Sequence, residues 1–111
     1  MMSLGELETV ARYRLPVLVV VMNDASYGAE EKLLQHKALD PATAQFPRTS
    51  FAAVARALGI PAAVLETSDD VDALMPQLAD LDSPFLIDAR IDQSETAEFV
   101  ALLHRLKATP A

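Results

Sequence analysis

The chain has 111 residues, with 16 Asp plus Glu against 9 Lys plus Arg for a formal charge of −7, and no cysteine. The acidic balance argues against nonspecific binding to a nucleic-acid backbone, which draws its energy from clustered cations, and the lack of cysteine excludes disulfides and thiolate metal sites. A hydrophobic fraction of 51 % with only 5 % aromatics and no Trp suits one globular domain of helices packed on a small parallel sheet of aliphatic side chains.

From the amino terminus, Ser3 and Glu6 have capping-box spacing and Leu4, Leu7, Val10 and Ala11 recur at helical intervals, which predicts a helix over 3–13. The start, Met1 to Glu6, has neither the basic nor the hydrophobic region of a signal peptide. Pro16 opens a strand, and Val17 to Met22 is continuously apolar and rich in β-branched residues, the pattern of a strand covered on both faces and central in the intact sheet. The apolar run Leu15 to Met22 is shorter than the roughly 20 residues that cross a bilayer as a helix. The lack of cysteine suits a reducing compartment, and the cytoplasm is the expected location.

Asn23-Asp24-Ala25-Ser26 reads as a short polar loop, followed by a short helix over Tyr27 to His36 with Leu33 and Leu34 facing inward. Pro41 and Pro47 interrupt any periodicity between Lys37 and Thr49, which predicts a surface loop with one helical turn near Pro41-Ala42-Thr43. Thr49 or Ser50 can cap a helix through Leu58, with Phe51, Val54, Ala55 and Leu58 on its inner face and Gly59 ending it in a left-handed conformation. A strand over Ile60 to Leu65 follows. Ser68 is expected to cap the next helix, with Asp69 and Asp70 complementing its dipole and Val71, Leu74, Met75 and Leu78 forming its apolar stripe. Pro84 begins a third strand, Phe85 to Ala89, and Ser94 starts a last helix through about Lys107, before a fraying tail from Ala108 to Ala111. The alternation implies an α/β fold in three layers, with a parallel sheet, helices on both faces and right-handed crossovers.

The most informative stretch is Val17-Leu18-Val19-Val20-Val21 running directly into Met22-Asn23-Asp24-Ala25-Ser26-Tyr27-Gly28. An Asn-Asp pair at the carboxyl end of a strand places hard oxygen ligands where open α/β sheets bind their ligands. The order resembles the second half of the diphosphate and metal motif of thiamine diphosphate (ThDP) enzymes, the group of acetolactate synthase and the 2-oxoacid decarboxylases. Ser3 to Thr9 before the strand and Phe51 to Gly59 later also fit family positions, so the resemblance covers most of the chain. The Gly-Asp-Gly that forms the first half of the motif does not occur here. The resemblance therefore implies the carboxyl-terminal part of a diphosphate-binding domain, an incomplete ThDP-binding fold over 1–111 whose Gly-Asp-Gly strand lies upstream. It also implies a sheet in which the last strand inserts between the two before it.

The same resemblance implies roles. Asp24 stands where the family has the second Asn of a usual Asn-Asn pair, giving a side-chain oxygen to Mg²⁺, and Ser26 stands where a main-chain carbonyl does the same. Magnesium takes oxygen ligands in near-octahedral geometry and bridges to phosphates, so a carboxylate can replace the amide, at the cost of a negative charge beside a diphosphate. Asn23, Asp24, Ser26, Tyr27 and Gly28 are then the cofactor-binding residues, Gly28 allowing close backbone approach and Tyr27 lining the pocket or bracing the loop. Glu30 lies where some decarboxylases of the group carry an acid for proton transfer. Read without the family, Asn-Asp-Ala-Ser is also an ordinary polar turn capping a helix, and Glu30 a solvated first-turn acid paired with Lys32. Glu31 reads as bland, His36 and His104 as surface or satisfied histidines, and Asp88 as an acid that caps a loop.

The function implied is a ThDP- and Mg²⁺-dependent enzyme acting on 2-oxoacids, acetolactate synthase-like or decarboxylase-like, working as a homo-oligomer without nucleic-acid or membrane partners. The family's activating glutamate sits on a separate domain of a neighbouring subunit, so this chain alone is expected to be inactive. The competing reading is a small non-catalytic α/β binding or oligomerisation module. A polar, capped edge on the first strand would favour that module, and the strand is apolar throughout.

Overall fold

The computed structural model describes residues 3–94. In chain order it contains α1 (Leu4–Tyr13), β1 (Leu18–Asn23), α2 (Gly28–His36), a 3-10 turn (Pro41–Ala44), α3 (Phe51–Ala57), β2 (Ala62–Leu65), α4 (Ser68–Leu78) and β3 (Phe85–Arg90). These fall into two compact units, one of Met1–Asn23 with Thr49–Ile91 and one of Asp24–Arg48 with Asp92–Ala111. The helix expected from Ser94 and the tail behind it lie outside the described residues.

The first unit holds the sheet. Its strands pair in parallel in the order β1-β3-β2, the insertion of the last strand that the resemblance implies. Val19 stands opposite Leu86 and Val21 opposite Asp88, while Ala62 flanks Leu86 from the other side, so these residues share one face. On that face Ala55, Ile60 and Leu86, none more than 1 % exposed, form the core, with Leu7, Val10 and Ala11 of α1 and Phe51 of α3 packed against it. Two right-handed crossovers running in opposite directions across the sheet put α3 on this face and α4 on the other. Aliphatic composition and parallel pairing therefore agree, because a parallel sheet must be covered on both sides.

Helix ends follow local chemistry, with one cap moved by a residue and one cap that makes no side-chain bond. Ser50 caps α3, its hydroxyl accepting from Ala53 N at 3.3 Å. Gly59 ends that helix at φ 81°, with Gly59 N donating to Arg56 O and Ile60 N to Ala55 O, a Schellman pair that carries Ile60 straight into the core. The cap of α4 is Thr67 and not Ser68: Thr67 and Asp70 form a reciprocal capping box, so Ser68 becomes the first helical residue. Ser3 does occupy the N-cap of α1, yet its side chain makes no cap bond, because its backbone lies at ψ 19° and not in the extended region a capping hydroxyl needs.

The expectation of a first strand covered on both faces is corrected. β1 alternates, with Leu18, Val20 and Met22 at 40 %, 49 % and 62 % exposure while Val19 and Val21 are half-buried. The physical reason is its place at the edge: among the described residues β1 pairs only with β3, and α4 packs against β2. The expected stripe of α4 is likewise reduced, to buried Leu74 and half-buried Leu78, since Val71 and Met75 are exposed.

In the second unit α2 packs against the 3-10 turn Pro41–Ala44, which Asp40 caps by accepting from Ala42 N at 3.0 Å. The helical turn expected near Pro41 is present. The inward face of α2 differs from expectation in part: Leu34 is half-buried, but Leu33 is 43 % exposed, and the buried residue of the helix is Glu31 at 8 %. Leu33 is two residues from Glu31, and a helix places such residues on different faces.

Candidate functional site

The end of β1 is tied into the first unit by Asn23. This residue is 4 % exposed, and its Nδ2 donates to Asp88 Oδ1 at 2.8 Å and to the Thr49 carbonyl at 2.9 Å. Asp88 has no exposed surface, and its Oδ2 accepts from Phe51 N at 2.9 Å and Ala52 N at 3.4 Å at the start of α3. A carboxylate is an acceptor only, and these three donors serve both of its oxygens. Asp88 therefore caps, as expected for a loop-capping acid, and Asn23 and Ser26 are the buried members of the candidate cofactor-binding set.

The other candidates lie together in the second unit. Asp24 Oδ1 accepts from Ser26 N at 3.1 Å, closing an Asx turn. The turn holds Ala25 at φ 58°, the left-handed region, with the methyl 7 % exposed. Such a conformation costs a non-glycine residue about 1 kcal/mol or more and persists only where the surroundings over-determine it. They do so here through an antiparallel bridge between Ser26 and Gln45. Its two bonds are Tyr27 N to Ala44 O at 2.8 Å and Phe46 N to Ala25 O at 3.2 Å. Because these bonds come from the residues flanking Ser26, its own N–H and C=O face away from the 44–46 segment. The N–H is taken by Asp24.

Asp24 Oδ2 lies over the first residue of α2, where a Cβ built on Gly28 would meet it at 2.6 Å. The carboxylate thus sits against a helix N-terminus, where the backbone dipole favours negative charge. Tyr27 is the N-cap residue, 62 % exposed, with its ring edge-on to Phe46 at 5.2 Å between centroids. Glu30 is exposed in the first turn. Gln93 Nε2 donates to the Asp24 carbonyl. Asp92, nearby in sequence, is held below its ordinary value by the Ser94 N–H.

Asp24, Ser26, Tyr27, Gly28 and Glu30 are therefore brought together by one loop and one helix start. What the sequence reading missed is Glu31 and Gln45. Glu31 Oε1 accepts from Gln45 Nε2 at 2.7 Å and from Gln35 Nε2 at 3.2 Å. One signal was available: Gly28, Glu31 and Gln35 are spaced i, i+3, i+7 and share a helix face. Gln45 lies fourteen residues from Glu31, and no local pattern announces that contact. Among the described residues no group of three His, Cys, Asp or Glu could hold a metal, so any cation at this loop draws ligands from elsewhere.

The family described as thiamine pyrophosphate enzyme, C-terminal TPP binding domain, matches residues 1–89. The chain belongs to that family: it is a cofactor-binding C-terminal domain sequence of the thiamine pyrophosphate, or ThDP, enzymes. Membership implies ThDP as cofactor, and the three-stranded parallel α/β sheet is consistent with part of such a domain. No helix among the described residues is long and apolar enough to cross a membrane.

Proposed function

We propose that this chain is the carboxyl-terminal part of the diphosphate-binding domain of a ThDP-dependent enzyme acting on 2-oxoacids, acetolactate synthase-like or decarboxylase-like, with Mg²⁺ held at the Asp24–Ser26 loop. The observation that carries the reading is the pairing of two oxygens of the right chemistry: a carboxylate with Oδ2 at the start of α2 and a Ser26 carbonyl facing away from its bridge partner. Hard oxygen donors suit Mg²⁺, and two of them leave the remaining octahedral positions to the diphosphate, water and a further protein ligand. The close approach at Gly28 is what a packed anion-binding turn requires.

When bound, ThDP supplies the carbon nucleophile and electron sink for bond cleavage or formation beside a carbonyl. In this reading Asp24 and Ser26 hold the metal, Gly28 keeps the loop close to the helix start, and Tyr27 shields the loop beside Phe46. Asn23 holds the strand end from which the loop departs. Glu30 is assigned proton transfer to or from the substrate, and its exposure in the first turn of α2 is compatible with that task. The enzyme is a homo-oligomer of the cytoplasm.

The test is ThDP binding to the full-length enzyme, followed by equilibrium dialysis with and without Mg²⁺. Asp24→Ala should lower the Mg²⁺-dependent affinity by roughly a hundred-fold, as for loss of a metal-binding side chain. An Asp24→Ala enzyme that keeps full Mg²⁺-dependent affinity would show that the loop has another purpose.

A further inference from the structure

Glu31 is a buried carboxylate without a cation among its described contacts. It is satisfied by two neutral amides, those of Gln45 and Gln35. Burying an ionised group for packing alone is costly when a leucine or glutamine would fill the space. What a carboxylate adds is direction: it accepts only, so both amides must present their N–H groups to it, and the Gln45 side chain has one orientation.

Gln45 is also the residue whose backbone stands opposite Ser26 in the antiparallel bridge. A closed ring results: Ser26 leads through Tyr27 and Gly28 into α2, α2 carries Glu31, Glu31 holds the Gln45 side chain, and the bridge returns to Ser26. The Asx turn at Asp24 and the left-handed Ala25 lie on the rim of that ring. A single isolated bridge of two backbone bonds, with no flanking ladder, is weak by itself. The Glu31–Gln45 bond ties the far side of the bridge to the helix on which the near side depends.

We infer that Glu31 is a positioning residue for the metal-binding loop: through the Gln45 side chain it keeps Gln45 paired with Ser26, and so keeps the Ser26 carbonyl facing away from the 44–46 segment, toward the cation. The inference rests on the reading that Asp24 and the Ser26 carbonyl bind Mg²⁺. Glu31 touches neither metal nor substrate in this account, so its loss weakens metal binding and leaves turnover intact once metal and cofactor saturate.

The experiment uses the full-length enzyme with ThDP present and Mn²⁺ as a paramagnetic probe of the Mg²⁺ site, free ion being counted by electron paramagnetic resonance. Gln45→Ala and Glu31→Ala should each raise the Mn²⁺ Kd roughly ten-fold, the scale of losing one charge-assisted hydrogen bond. The double variant should be no worse than the weaker single one, because both remove the same contact. Glu31→Gln, which can still accept from Gln45, should restore most of the affinity, and kcat at saturating Mg²⁺ and ThDP should stay near wild type throughout. Should Glu31→Ala fail to fold, Gln45→Ala at an exposed position and Glu31→Gln carry the comparison. If Asp24→Ala weakens Mn²⁺ binding while Gln45→Ala and Glu31→Ala bind as wild type, or if the two losses add, the loop holds the metal but Glu31 does not position it. If Asp24→Ala itself leaves Mn²⁺ binding unchanged, the metal reading falls and the inference falls with it.

Discussion

At Gly28 the backbone and a carboxylate oxygen approach more closely than a side chain permits, since an added methyl would lie 2.6 Å from Asp24 Oδ2. The atom in the way is the end of a short flexible side chain, so the fold can yield and the site cannot. Gly28→Ala should therefore keep unfolding free energy within about 1 kcal/mol of wild type, helped by the better helix propensity of alanine. Displacing the carboxylate should lower Mn²⁺ affinity in the full-length enzyme roughly ten-fold, the scale on which small displacements cost function. Urea unfolding and an Mn²⁺ titration separate the two effects, and a large stability loss with unchanged metal binding would show that Gly28 serves the fold instead. Asp24, Ser26 and Gly28 stood out as candidates because they lie within five residues directly after an apolar strand and match the resembled family's motif. Glu31 and Gln45 were not, because a hydrogen bond across fourteen residues leaves no spacing to read.

Among elements, α4 carries a charge-dependent cap. Asp70 accepts from Glu66 N at 2.9 Å and Thr67 N at 2.8 Å, while Thr67 Oγ1 accepts from Asp70 N at 3.3 Å. These backbone bonds, that from Glu66 foremost, hold the Asp70 carboxyl below its ordinary value of 3.8. Folding thus favours the ionised form, so the contribution is present above pH 3.8 and is lost as pH falls through the lower folded-state value. Asp70→Ala should lower Tm by a few degrees at neutral pH, and the difference from wild type should shrink in acid below the folded-state value. Thermal melts by circular dichroism at the two conditions check this; an equal difference at both would mean that the charge on Asp70 is irrelevant. The helix itself was readable from its periodicity, but the choice of Thr67 over Ser68 as cap was not. Both residues can cap, and only the reciprocal bond to Asp70, three residues after Thr67, decides between them.

At the scale of the whole molecule the edge of β1, which pairs only with β3 among the described residues, and the exposed face of that strand matter most. Leu18, Val20 and Met22 form an exposed apolar row, and from Leu15 to Met22 no charged residue guards the edge. Unguarded apolar edges are association sites, whereas a net charge of −7 on each copy opposes association most strongly at low salt. The chain should therefore self-associate, more tightly as ionic strength rises, through contacts near residues 1–35. Val20→Lys should raise the dissociation constant by about ten-fold or more by putting charge on that row. Its cost to folding should be small, since Val20 is 49 % exposed. Sedimentation equilibrium across salt concentrations reads both; a monomer at every salt and at high concentration would remove the case for association through β1.

By itself the sequence determined the elements, their order and their parallel pairing, because these follow from short-range patterns. Those patterns are a β-branched run after Pro16, a capping Ser50 with Gly59 beyond the helix, and a crossover rule that admits one hand. It also marked the polar strand-to-helix turn at Asn23 to Ser26, since such a turn is local. Only the tertiary structure decided which side of each element is covered. Whether β1 is central or at the edge depends on what lies beside it, so a continuously apolar run could not reveal that Leu18, Val20 and Met22 would face outward. The same holds for polar residues: Asn23, Asp88 and Glu31 are buried because partners distant in the chain satisfy them, and hydrogen bonds of that kind exist only once the chain has folded.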